Sequence, residues 1–421
     1  MLFLYNLLIR IFGAAIFISS FFKAKARHWI SGRWNWRANL RLKLKKNEQR
    51  IWIHCASLGE FEQGRNLIEE LKLRYPSYKI LLTFNSPSGY EIRKDYQYAD
   101  YVFYLPLDTE ANALDFIQLI DPSLAIFIKY EFWYHYLVTL KQKNIPTIIV
   151  SAAFREEQPF FHNDFYNKRV GDFFREMLQC FTMIFVQDQG SKALLGSIGI
   201  RNNVIVAGDT RYDRVLTILA NRTPLSLIEA FLQGAPALIA GSTWQNDERI
   251  LWESFGSLPA DWKLIIAPHE IDKDRIYEIQ TLFDDSVLYS ELLHRDDSRN
   301  KRVLIIDNIG MLSSLYAYGK IAFVGGGYQK GGIHNILEPA VFGLPTVFGP
   351  VYQKFVEANI LVHKRLCFPV DTIREAQSVL AKLSTDEANY QLIHNALFAF
   401  MQEQAGATDK ILAYVLKLLY T

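Results

Sequence analysis

One segment with residue types suited to acid–base chemistry is His-Cys-Ala-Ser-Leu-Gly-Glu, at residues 54–60. It follows an apolar run and precedes an amphipathic one, which predicts a turn from a strand into a helix. Gly59 permits close backbone approach there, and the start of the helix offers free N–H groups. Glu60 could then act as a general base toward an acceptor hydroxyl. The spacing of Ser57 and Glu60 also fits a capping box at the helix start, and the spacing alone leaves both interpretations open.

A second segment, glycine-rich and spanning residues 325–339, follows the apolar run Ile-Ala-Phe-Val. Glycines after a strand let backbone amides face a phosphate at a helix start. The pattern is neither a Walker motif nor GxGxxG, which disfavours an ordinary nucleoside triphosphatase or NAD enzyme. His334 and Glu338 are four positions apart, so we predict that they share one helix face. His334 or Asn335 would then meet a phosphate, and Glu338 would hold ribose hydroxyls. The alternative is a glycine-rich turn with a surface ion pair.

Smaller polar pieces follow other apolar runs. Three of them, Gly241-Ser242-Thr243, Pro268-His269-Glu270 and the segment 308–312, end successive predicted strands, where a nucleotide would lie. Each is weak alone, because Gly-Ser-Thr is also a common helix cap. In the first half, the charged segment 129–133 with Glu131 ends another apolar run. Such charges are either structural or part of a site.

Metal chemistry has little support in the sequence. Asp272 and Asp274 form an Asp-x-Asp triplet, but in a charged helical stretch where such triplets arise by chance. No HExxH motif occurs, and the three cysteines at 55, 180 and 367 are too far apart for a zinc or disulfide pattern. We therefore expect no metal and no other cofactor.

The elements that must position these residues alternate between short apolar strands and amphipathic helices. At 421 residues the chain exceeds one typical core. The fold class is therefore α/β, with two Rossmann-like domains of parallel sheets that face a central cleft. A proline-containing stretch places the boundary near residues 215–235. The predicted strands are IWIHCAS, KILLTFNS, YVFYLP, LAIFIKY, TIIVSAA, MIFVQD and NVIVAGD, then ALIAGST, KLIIAPH, VLIID, KIAFVGG and PTVFGP. A dehydrogenase or a periplasmic-type binding protein would also fit this pattern.

The N-terminus predicts membrane attachment. The first 22 residues are almost wholly apolar, with Arg10 the only charge. Cations and tryptophans follow, which suits anionic headgroups on the cytoplasmic side of the inner membrane. Arg10 would be costly in a spanning helix, so spanning and monotopic attachment both stay open, as does a helix packed on its own domain. Nucleic acid is a less suitable partner for a basic patch beside an apolar anchor. The residues concerned are Lys23, Lys25, Arg27, Arg33, Arg37, Arg41, Lys43, Lys45, Lys46 and Arg50, with Trp29, Trp34 and Trp36.

These segments, in this order, resemble the Kdo transferases, which move 3-deoxy-manno-octulosonate (Kdo) from CMP-Kdo to a lipid A precursor. The family motifs His-x-x-Ser-x-Gly-Glu, Glu-x-Trp, Gly-Ser-Thr and Gly-Gly-His-Asn-x-x-Glu-Pro correspond to HCASLGE (54–60), EFW (131–133), GST (241–243) and GGIHNILEP (331–339, with one inserted residue). GDTRYD (208–213) is similar to a further family segment. The resemblance covers essentially the whole chain.

The resemblance implies a GT-B glycosyltransferase of lipopolysaccharide biosynthesis that inverts the anomeric centre without a metal. It implies a membrane anchor and basic segment over 1–46, an acceptor domain over 47–220 and a CMP-sugar donor domain over 221–421. Glu60 would be the catalytic base, and Arg211 and His334 are candidate cations for the leaving group. On the acceptor side, Ser57, Gly59, Glu131 and Arg211 would have binding or structural roles. The implied donor-site residues are Ser242, His269, Gly310, Met311, His334, Asn335 and Glu338.

Several positions depart from the family pattern and indicate a divergent branch. Lys129 replaces an acid, and Ser151-Ala152-Ala153 replaces Asn-Ala-Arg. In the second half, Ala267-Pro268-His269-Glu270 stands for Pro-Arg-His-Pro, and Trp244 for a histidine. These changes affect the predicted acceptor pocket and the contacts to the donor carboxylate.

Three alternatives remain at this stage. A GT-B enzyme could use a UDP-sugar on another membrane acceptor, and competition by CMP or UDP would separate the two. A sugar-nucleotide epimerase has the same two-domain fold, although the N-terminal anchor argues against it. A non-catalytic nucleotide-sugar-binding protein would bind without turnover.

Overall fold

The computed structural model describes residues 1–162, 168–294 and 300–420. The chain divides into two compact units. Unit 1 comprises Met1–Arg214 together with Gln404–Thr421, and unit 2 comprises Val215–Glu403. Each unit contains one parallel sheet of seven strands. The two-domain α/β prediction is therefore confirmed, whereas the predicted cleft stays a prediction.

The sheet of unit 1 has the strand order β3-β2-β1-β4-β5-β6-β7. Its strands are rich in β-branched and aromatic residues, and β1 and β5 are buried along their whole length, as expected for a parallel sheet covered on both faces. The strands are β1 (Arg50–Cys55), β2 (Lys79–Phe84), β3 (Tyr101–Tyr104), β4 (Pro122–Ile128), β5 (Thr147–Ala152), β6 (Met183–Val186) and β7 (Val204–Val206).

Nine helices in the described part of the chain precede the unit boundary, and a tenth crosses it. They are α1 (Leu2–Ser20), α2 (Ala24–Ser31), α3 (Trp36–Lys43), α4 (Leu58–Arg74), α5 (Pro87–Arg93), α6 (Glu110–Ile120), α7 (Tyr134–Gln142), α8 (Lys168–Leu178), α9 (Gln189–Ser197) and α10 (Thr210–Ala220). The helix α4 follows β1 after a two-residue turn, so the polar segment 54–60 spans the end of β1, the turn and the start of α4.

The sheet of unit 2 has the order β10-β11-β9-β8-β12-β13-β14. Its central strand β8 pairs with β9 and β12, which places the polar ends of these three strands side by side. The strands are β8 (Ala237–Thr243), β9 (Lys263–Pro268), β10 (Ser286–Leu288), β11 (Val303–Ile305), β12 (Ile321–Val324), β13 (Thr346–Phe348) and β14 (Cys367–Pro369). The helices that follow are α11 (Ser226–Leu232), α12 (Gln245–Phe255), α13 (Lys273–Leu282), α14 (Leu312–Leu315), α15 (Leu337–Ala340), α16 (Val356–His363), α17 (Ile373–Thr385), α18 (Glu387–Gln404) and α19 (Ala407–Tyr420).

The last helix differs from the sequence-based division, which assigned residues 221–421 to one domain. In the structure α19 packs into the core of unit 1, where Ile411, Leu412 and Val415 are buried. Asp213 accepts hydrogen bonds from the backbone N–H groups of Gly406 and Thr408. Burial of the apolar face of α19 in unit 1 places a second boundary at residue 404. The first boundary lies at residue 214 instead of 220.

Among the described residues, α1 is the one helix long and apolar enough to cross a membrane. One side of α1 packs on the rest of unit 1. There the Tyr5 hydroxyl donates to Asp108, and the Asn6 side chain is hydrogen-bonded to His135. The rest of the helix exposes a row of large apolar side chains, which are Leu2, Phe3, Leu4, Leu7, Leu8, Ile11, Phe12, Phe17 and Ile18.

Candidate active site

The turn from β1 into α4 presents Glu60 as a half-buried carboxylate in the first helical turn, next to the exposed Gly59. Ser57 occupies the N-cap position, but its side chain makes no capping hydrogen bond to the helix backbone. The Ser57 hydroxyl instead donates to the Glu60 carboxylate. The capping box that the spacing allowed is therefore not formed, and one serine hydroxyl orients the carboxylate.

A buried histidine connects this strand to a second acid. His54 Nδ1 lies 2.9 Å from Thr83 Oγ1, and His54 Nε2 lies 3.1 Å from Glu131 Oε2. Trp52 Nε1 donates to Thr83 Oγ1 (2.8 Å), and Trp133 Nε1 donates to Glu131 Oε2 (2.7 Å). A neutral His54 fits this arrangement if Nε2–H donates to Glu131 and Nδ1 accepts from Thr83. Glu131 is thus held by two ring N–H groups.

Glu60 and Glu131 share an electrostatic environment. Burial raises the pKa of the Cys55 thiol well above its usual value, and the charges of Glu60 and Glu131 raise it further. Both carboxylates are therefore near the carboxyl end of β1. A thiol in this environment is protonated at neutral pH, which argues against Cys55 as a nucleophile.

Strained backbone accompanies the polar strand ends in both units. Lys129 after β4, Ser151 in β5 and Ser242 in β8 have left-handed φ values of 67°, 55° and 54°. This conformation costs a residue with a side chain about 1–2 kcal/mol, and such strain clusters at functional sites. Ser151 is further held by a hydrogen bond of 2.8 Å between its hydroxyl and that of Thr210.

Arg211, a candidate leaving-group cation, lies at the start of α10 in unit 1. Its Nε and Nη2 atoms donate to Oδ2 of Asp209 over 2.9 and 2.7 Å. Arg211 is half-buried and Asp209 is buried. The role of Arg211 in phosphate binding stays a prediction.

In unit 2, three rings stack at the ends of β8, β9 and β12. The centroids of Trp244 and His269 are 4.6 Å apart, and those of His269 and His334 are 4.5 Å apart. Trp244 Nε1 also donates to His334 Nε2 over 3.1 Å. The strands thus bring the predicted donor-site residues His269 and His334 together, with Trp244 as a third member.

His334 is not a cation at neutral pH. Burial, and to a smaller extent the neighbouring His269, lower the pKa of this imidazole to about 4. Because Nε2 accepts from Trp244, the proton of the neutral ring is on Nδ1. His334 can therefore donate one hydrogen bond to a ligand, and the role of its charge in stabilising a leaving group stays a prediction.

The prediction that His334 and Glu338 share one helix face is wrong. The helix α15 begins only at Leu337, after a glycine-rich loop, so His334 and Asn335 precede it. Asn335 Nδ2 donates to Glu338 Oε1 (3.1 Å), and Asn335 Oδ1 accepts from the N–H of Leu337 (3.0 Å). Asn335 and Glu338 are thus brought together by a turn instead of a long helix.

The glycines of this loop allow backbones to meet. A Cβ on Gly325 would lie 2.2 Å from the Ser242 carbonyl oxygen, and one on Gly327 would lie 2.5 Å from the N atom of Gly349. Only glycine permits these contacts between the loops after β8, β12 and β13. The alternative of a structural glycine-rich turn therefore holds for these two positions.

The loop is anchored by Asp247, a residue that sequence reasoning missed. Asp247 is fully buried, and its Oδ2 accepts from the N–H groups of Trp244 (2.9 Å) and Gly326 (2.8 Å). Gly310, with a left-handed φ of 96°, and the half-buried Met311 lie in the turn before α14. The signal for Asp247 was its place three residues after Trp244, at the start of a helix.

No group of three or more His, Cys, Asp or Glu side chains that could hold a metal occurs among the residues that the structure describes. Asp272 of the Asp-x-Asp triplet caps α13 by accepting from the N–H of Arg275 (3.1 Å).

Comparison with known proteins supports the resemblance to the Kdo transferases. The model of the 3-deoxy-D-manno-octulosonic-acid transferase (kdotransferase) family matches residues 32–214. A 3-deoxy-D-manno-octulosonic acid transferase from Haemophilus influenzae is 27% identical over 86% of this chain and 86% of its own length. These comparisons show that the chain is similar to the Kdo transferases and indicate that it is a glycosyltransferase. The resemblance found in the motifs and the prediction of a glycosyltransferase are thereby confirmed.

Two further matches extend the comparison. A bifunctional glycosyltransferase/methyltransferase from Fusobacterium nucleatum is 27% identical over 94% of this chain. The match covers only 62% of that longer relative. The structure of a UDP-GlcNAc 2-epimerase from Neisseria meningitidis is 14% identical and superimposes with a TM-score of 0.60, covering 88% of this chain and all of that one. The structural likeness supports the GT-B type of fold alone.

Proposed function

We propose that the chain transfers Kdo from CMP-Kdo to a hydroxyl of a lipid A precursor, with inversion and with Glu60 as the general base. The observation that carries the proposal is the position of Glu60. It is a half-buried carboxylate at the carboxyl end of a central strand, oriented by Ser57, within the segment that the family model matches. Relatives described as Kdo transferases support the choice of sugar.

The proposed reaction is a single displacement. The acceptor oxygen forms a bond to the anomeric carbon as that carbon's bond to the CMP phosphate oxygen breaks, and the electron pair leaves with CMP. Glu60 takes the proton of the acceptor hydroxyl. The anomeric carbon has oxocarbenium character in the transition state, as in glycoside hydrolysis, and attack from the face opposite CMP inverts it.

The proposed donor site is in unit 2, at the ends of β8, β9 and β12. His334 offers a neutral Nδ1–H to the phosphate, and Glu338, next to Asn335, could accept from ribose hydroxyls. Ser242 and His269 adjoin the same strand ends. Arg211 is the cation proposed to stabilise the departing phosphate. We expect the reaction to need no metal.

We further propose that α1 attaches the enzyme to the cytoplasmic face of the inner membrane without crossing it. The helix has large exposed apolar side chains on one side, and polar contacts of Tyr5 and Asn6 to unit 1 on the other. Cations of α2 and α3 would face anionic headgroups. This attachment would bring a soluble donor and a lipid acceptor to one enzyme.

The proposal is tested by transfer from CMP-Kdo, generated in situ, to a tetraacylated lipid A precursor. Glu60→Gln keeps the size of the side chain but cannot accept the proton, so we expect kcat to fall about 100- to 10,000-fold with CMP binding unchanged. Glu70→Gln, a partly exposed acid at the far end of α4, is the matched control.

Other outcomes separate the alternatives. Full activity in Glu60→Gln would remove Glu60 as the base. An inactive wild-type enzyme that binds CMP would leave the donor site in place and exclude this acceptor or sugar. Competition by UDP instead of CMP would favour a UDP-sugar donor.

A further inference from the structure

A groove of about 310 Å³ lies between the N-terminal helices and the loop after β2. Its walls are mainly apolar and come from Phe12 and Ile16 of α1, Ala26 and Trp29 of α2, and Pro87 at the start of α5. The Trp29 ring is fixed, because the Arg33 guanidinium lies 3.6 Å above its centroid and Phe12 meets it edge-on at 6.0 Å. The groove is thus a shaped apolar site.

Two cations line one side of the groove. Lys23 and Lys25 both contribute to it, and both are exposed to solvent. An apolar channel beside two ammonium groups complements a ligand that has an alkyl chain and an anionic head. A phosphorylated lipid has this chemistry.

The remaining wall of the groove leads to the proposed catalytic base. It is formed by Asn85 and Ser86, which follow β2. The N–H of Ser86 donates to the carbonyl of Ala56 over 2.8 Å, and Ala56 precedes Ser57, which orients Glu60. On its other side, Asn85 accepts two hydrogen bonds from Arg33 Nη2, of 2.7 and 3.0 Å. One rigid loop therefore contacts both the groove and the turn that carries the base.

We propose that the groove binds one acyl chain of the acceptor lipid, with a phosphate of the same lipid at Lys23 and Lys25. The inference rests on the proposed function and extends it to the acceptor. Phe12 and Ile16 belong to the helix whose other side chains form the exposed apolar face, so a chain can enter from a bilayer without crossing water. The loop of Asn85 and Ser86 then places the sugar end of the lipid near the carboxyl edge of β1. This connection favours the acceptor over bulk phospholipid.

The first test compares two acceptors, the acylated disaccharide bisphosphate and the same disaccharide without acyl chains. Ala26→Trp fills the groove, and we expect the ratio of kcat/KM for the acylated to the deacylated acceptor to fall at least tenfold. Ala24→Trp adds the same ring at the first residue of α2, an exposed position outside the groove. This control should leave the ratio unchanged. Equal ratios in Ala26→Trp and wild type would overturn the proposal.

The charge is tested in the same assay. Lys23→Ala/Lys25→Ala should raise KM for the bisphosphate, whereas Lys45→Ala/Lys46→Ala, with the same change of net charge at exposed positions, should not. An equal rise in both double variants would mean that only general attraction to the membrane acts, which contradicts a specific phosphate position.

A binding test separates failure of the groove from failure of the proposed function. Acylated disaccharide bisphosphate with a diazirine in one acyl chain is photolysed with the full-length protein in vesicles, without donor. We expect cross-links at residues 12–29 and 85–87 that Ala26→Trp abolishes. Cross-links with no transfer by the wild type would support the groove and reject the reaction. Transfer by the wild type with no cross-link in these segments would support the reaction and reject the groove. Equal labelling by a diazirine phospholipid would overturn the choice of the acceptor as occupant.

Discussion

At the scale of single residues, Thr83 determines how His54 can orient Glu131. Its hydroxyl is in contact with both His54 Nδ1 and Trp52 Nε1, and all three residues are fully buried. These residues are paired across neighbouring strands, with His54 directly opposite Thr83 in the register of β1 and β2. Removal of this hydroxyl would leave two buried ring nitrogens without a partner.

Thr83→Val keeps the size of the side chain but removes the hydroxyl. We expect the free energy of unfolding to fall by about 2–6 kcal/mol, because each of the two unsatisfied buried groups costs about 1–3 kcal/mol. Thr83→Ser keeps the hydroxyl and should cost about 1 kcal/mol, the value of a buried methyl group. Urea denaturation of both variants measures the difference. A loss in Thr83→Val no larger than that in Thr83→Ser would contradict the role of the hydroxyl, because Val keeps the methyl group and lacks only the hydrogen bonds.

His334 provides a second prediction at this scale. Its pKa is lowered to about 4 by burial and by His269, so we expect one imidazole in an NMR titration to have a midpoint near pH 4. His269→Phe keeps a stacked ring but removes the neighbouring imidazole, and should raise that midpoint. Because the folded pKa is lower than that of the unfolded chain, stability is lost as the pH falls from about 6.5 toward 4. A midpoint above 6 would show that His334 is solvated.

At the scale of elements, α12 holds the glycine-rich loop through a buried carboxylate. Asp247 Oδ2 accepts from Trp244 and Gly326, while Oδ1 has no hydrogen-bond partner among the described residues. Burial is the largest influence and raises the pKa of Asp247 to about 6. The loop is therefore positioned by a group whose ionised form is costly at neutral pH.

Asp247→Asn retains the acceptor oxygen and removes the charge, so it should stabilise unit 2 above pH 6 by up to about 3 kcal/mol. The sign follows from the raised pKa. Wild-type stability from this group is complete below about pH 4 and is lost as the pH rises through 6, whereas the variant has no such loss. Denaturation at pH 4, 6 and 8 measures it. Asp247→Ala, which leaves both N–H groups without this acceptor, should destabilise at every pH, and a stable Ala variant would contradict the anchoring role.

The elements differ in how well the sequence predicted them. Twelve strands were predicted because their apolar runs are long enough to be seen, as in β1 and β8. The edge strands β10 and β14 were missed. Their length of three residues alone does not explain this, because β7, β11 and β13 are equally short and were predicted. The spacing of His334 and Glu338 suggested one helix face, but the glycines before them are needed for loop contacts and delay the helix to Leu337. Spacing also could not decide whether Ser57 bonds the helix backbone or the Glu60 carboxylate.

At the scale of the whole molecule, contacts between distant parts of the chain determine where its first and last helices pack. The helix α19 packs in the core of unit 1 beside α4, and the Tyr78 hydroxyl donates to the carbonyl of Leu419 over 3.1 Å. Local patterns contain no information on such partners, because an amphipathic helix reveals its apolar face but not what covers it. The N-terminal helix is the reverse case. Its composition predicted membrane attachment, whereas its polar contacts to the rest of unit 1 could be found only in the structure.

These contacts predict how α1 lies on the bilayer. The helix is about 28 Å long, enough to span the hydrocarbon core. To span it, however, the Tyr5 hydroxyl would have to leave Asp108, which is buried and also accepts from the N–H groups of His135 and Tyr136. Arg10 would also have to enter the hydrocarbon core. We therefore expect α1 to lie in the plane of the interface, with both of its ends on the cytoplasmic side.

The prediction can be tested with a cysteine added before Met1 and, separately, Lys46→Cys, because the three native cysteines are buried and should react slowly. A membrane-impermeant maleimide applied to inside-out and to right-side-out vesicles reports the side of each cysteine. We expect both cysteines to react only in inside-out vesicles, where the cytoplasmic face is outward. Tyr5→Phe/Asn6→Leu removes the polar contacts and should allow part of the population to react from the opposite side. Labelling of the N-terminal cysteine only in right-side-out vesicles, in the otherwise unchanged protein, would mean that α1 crosses the membrane.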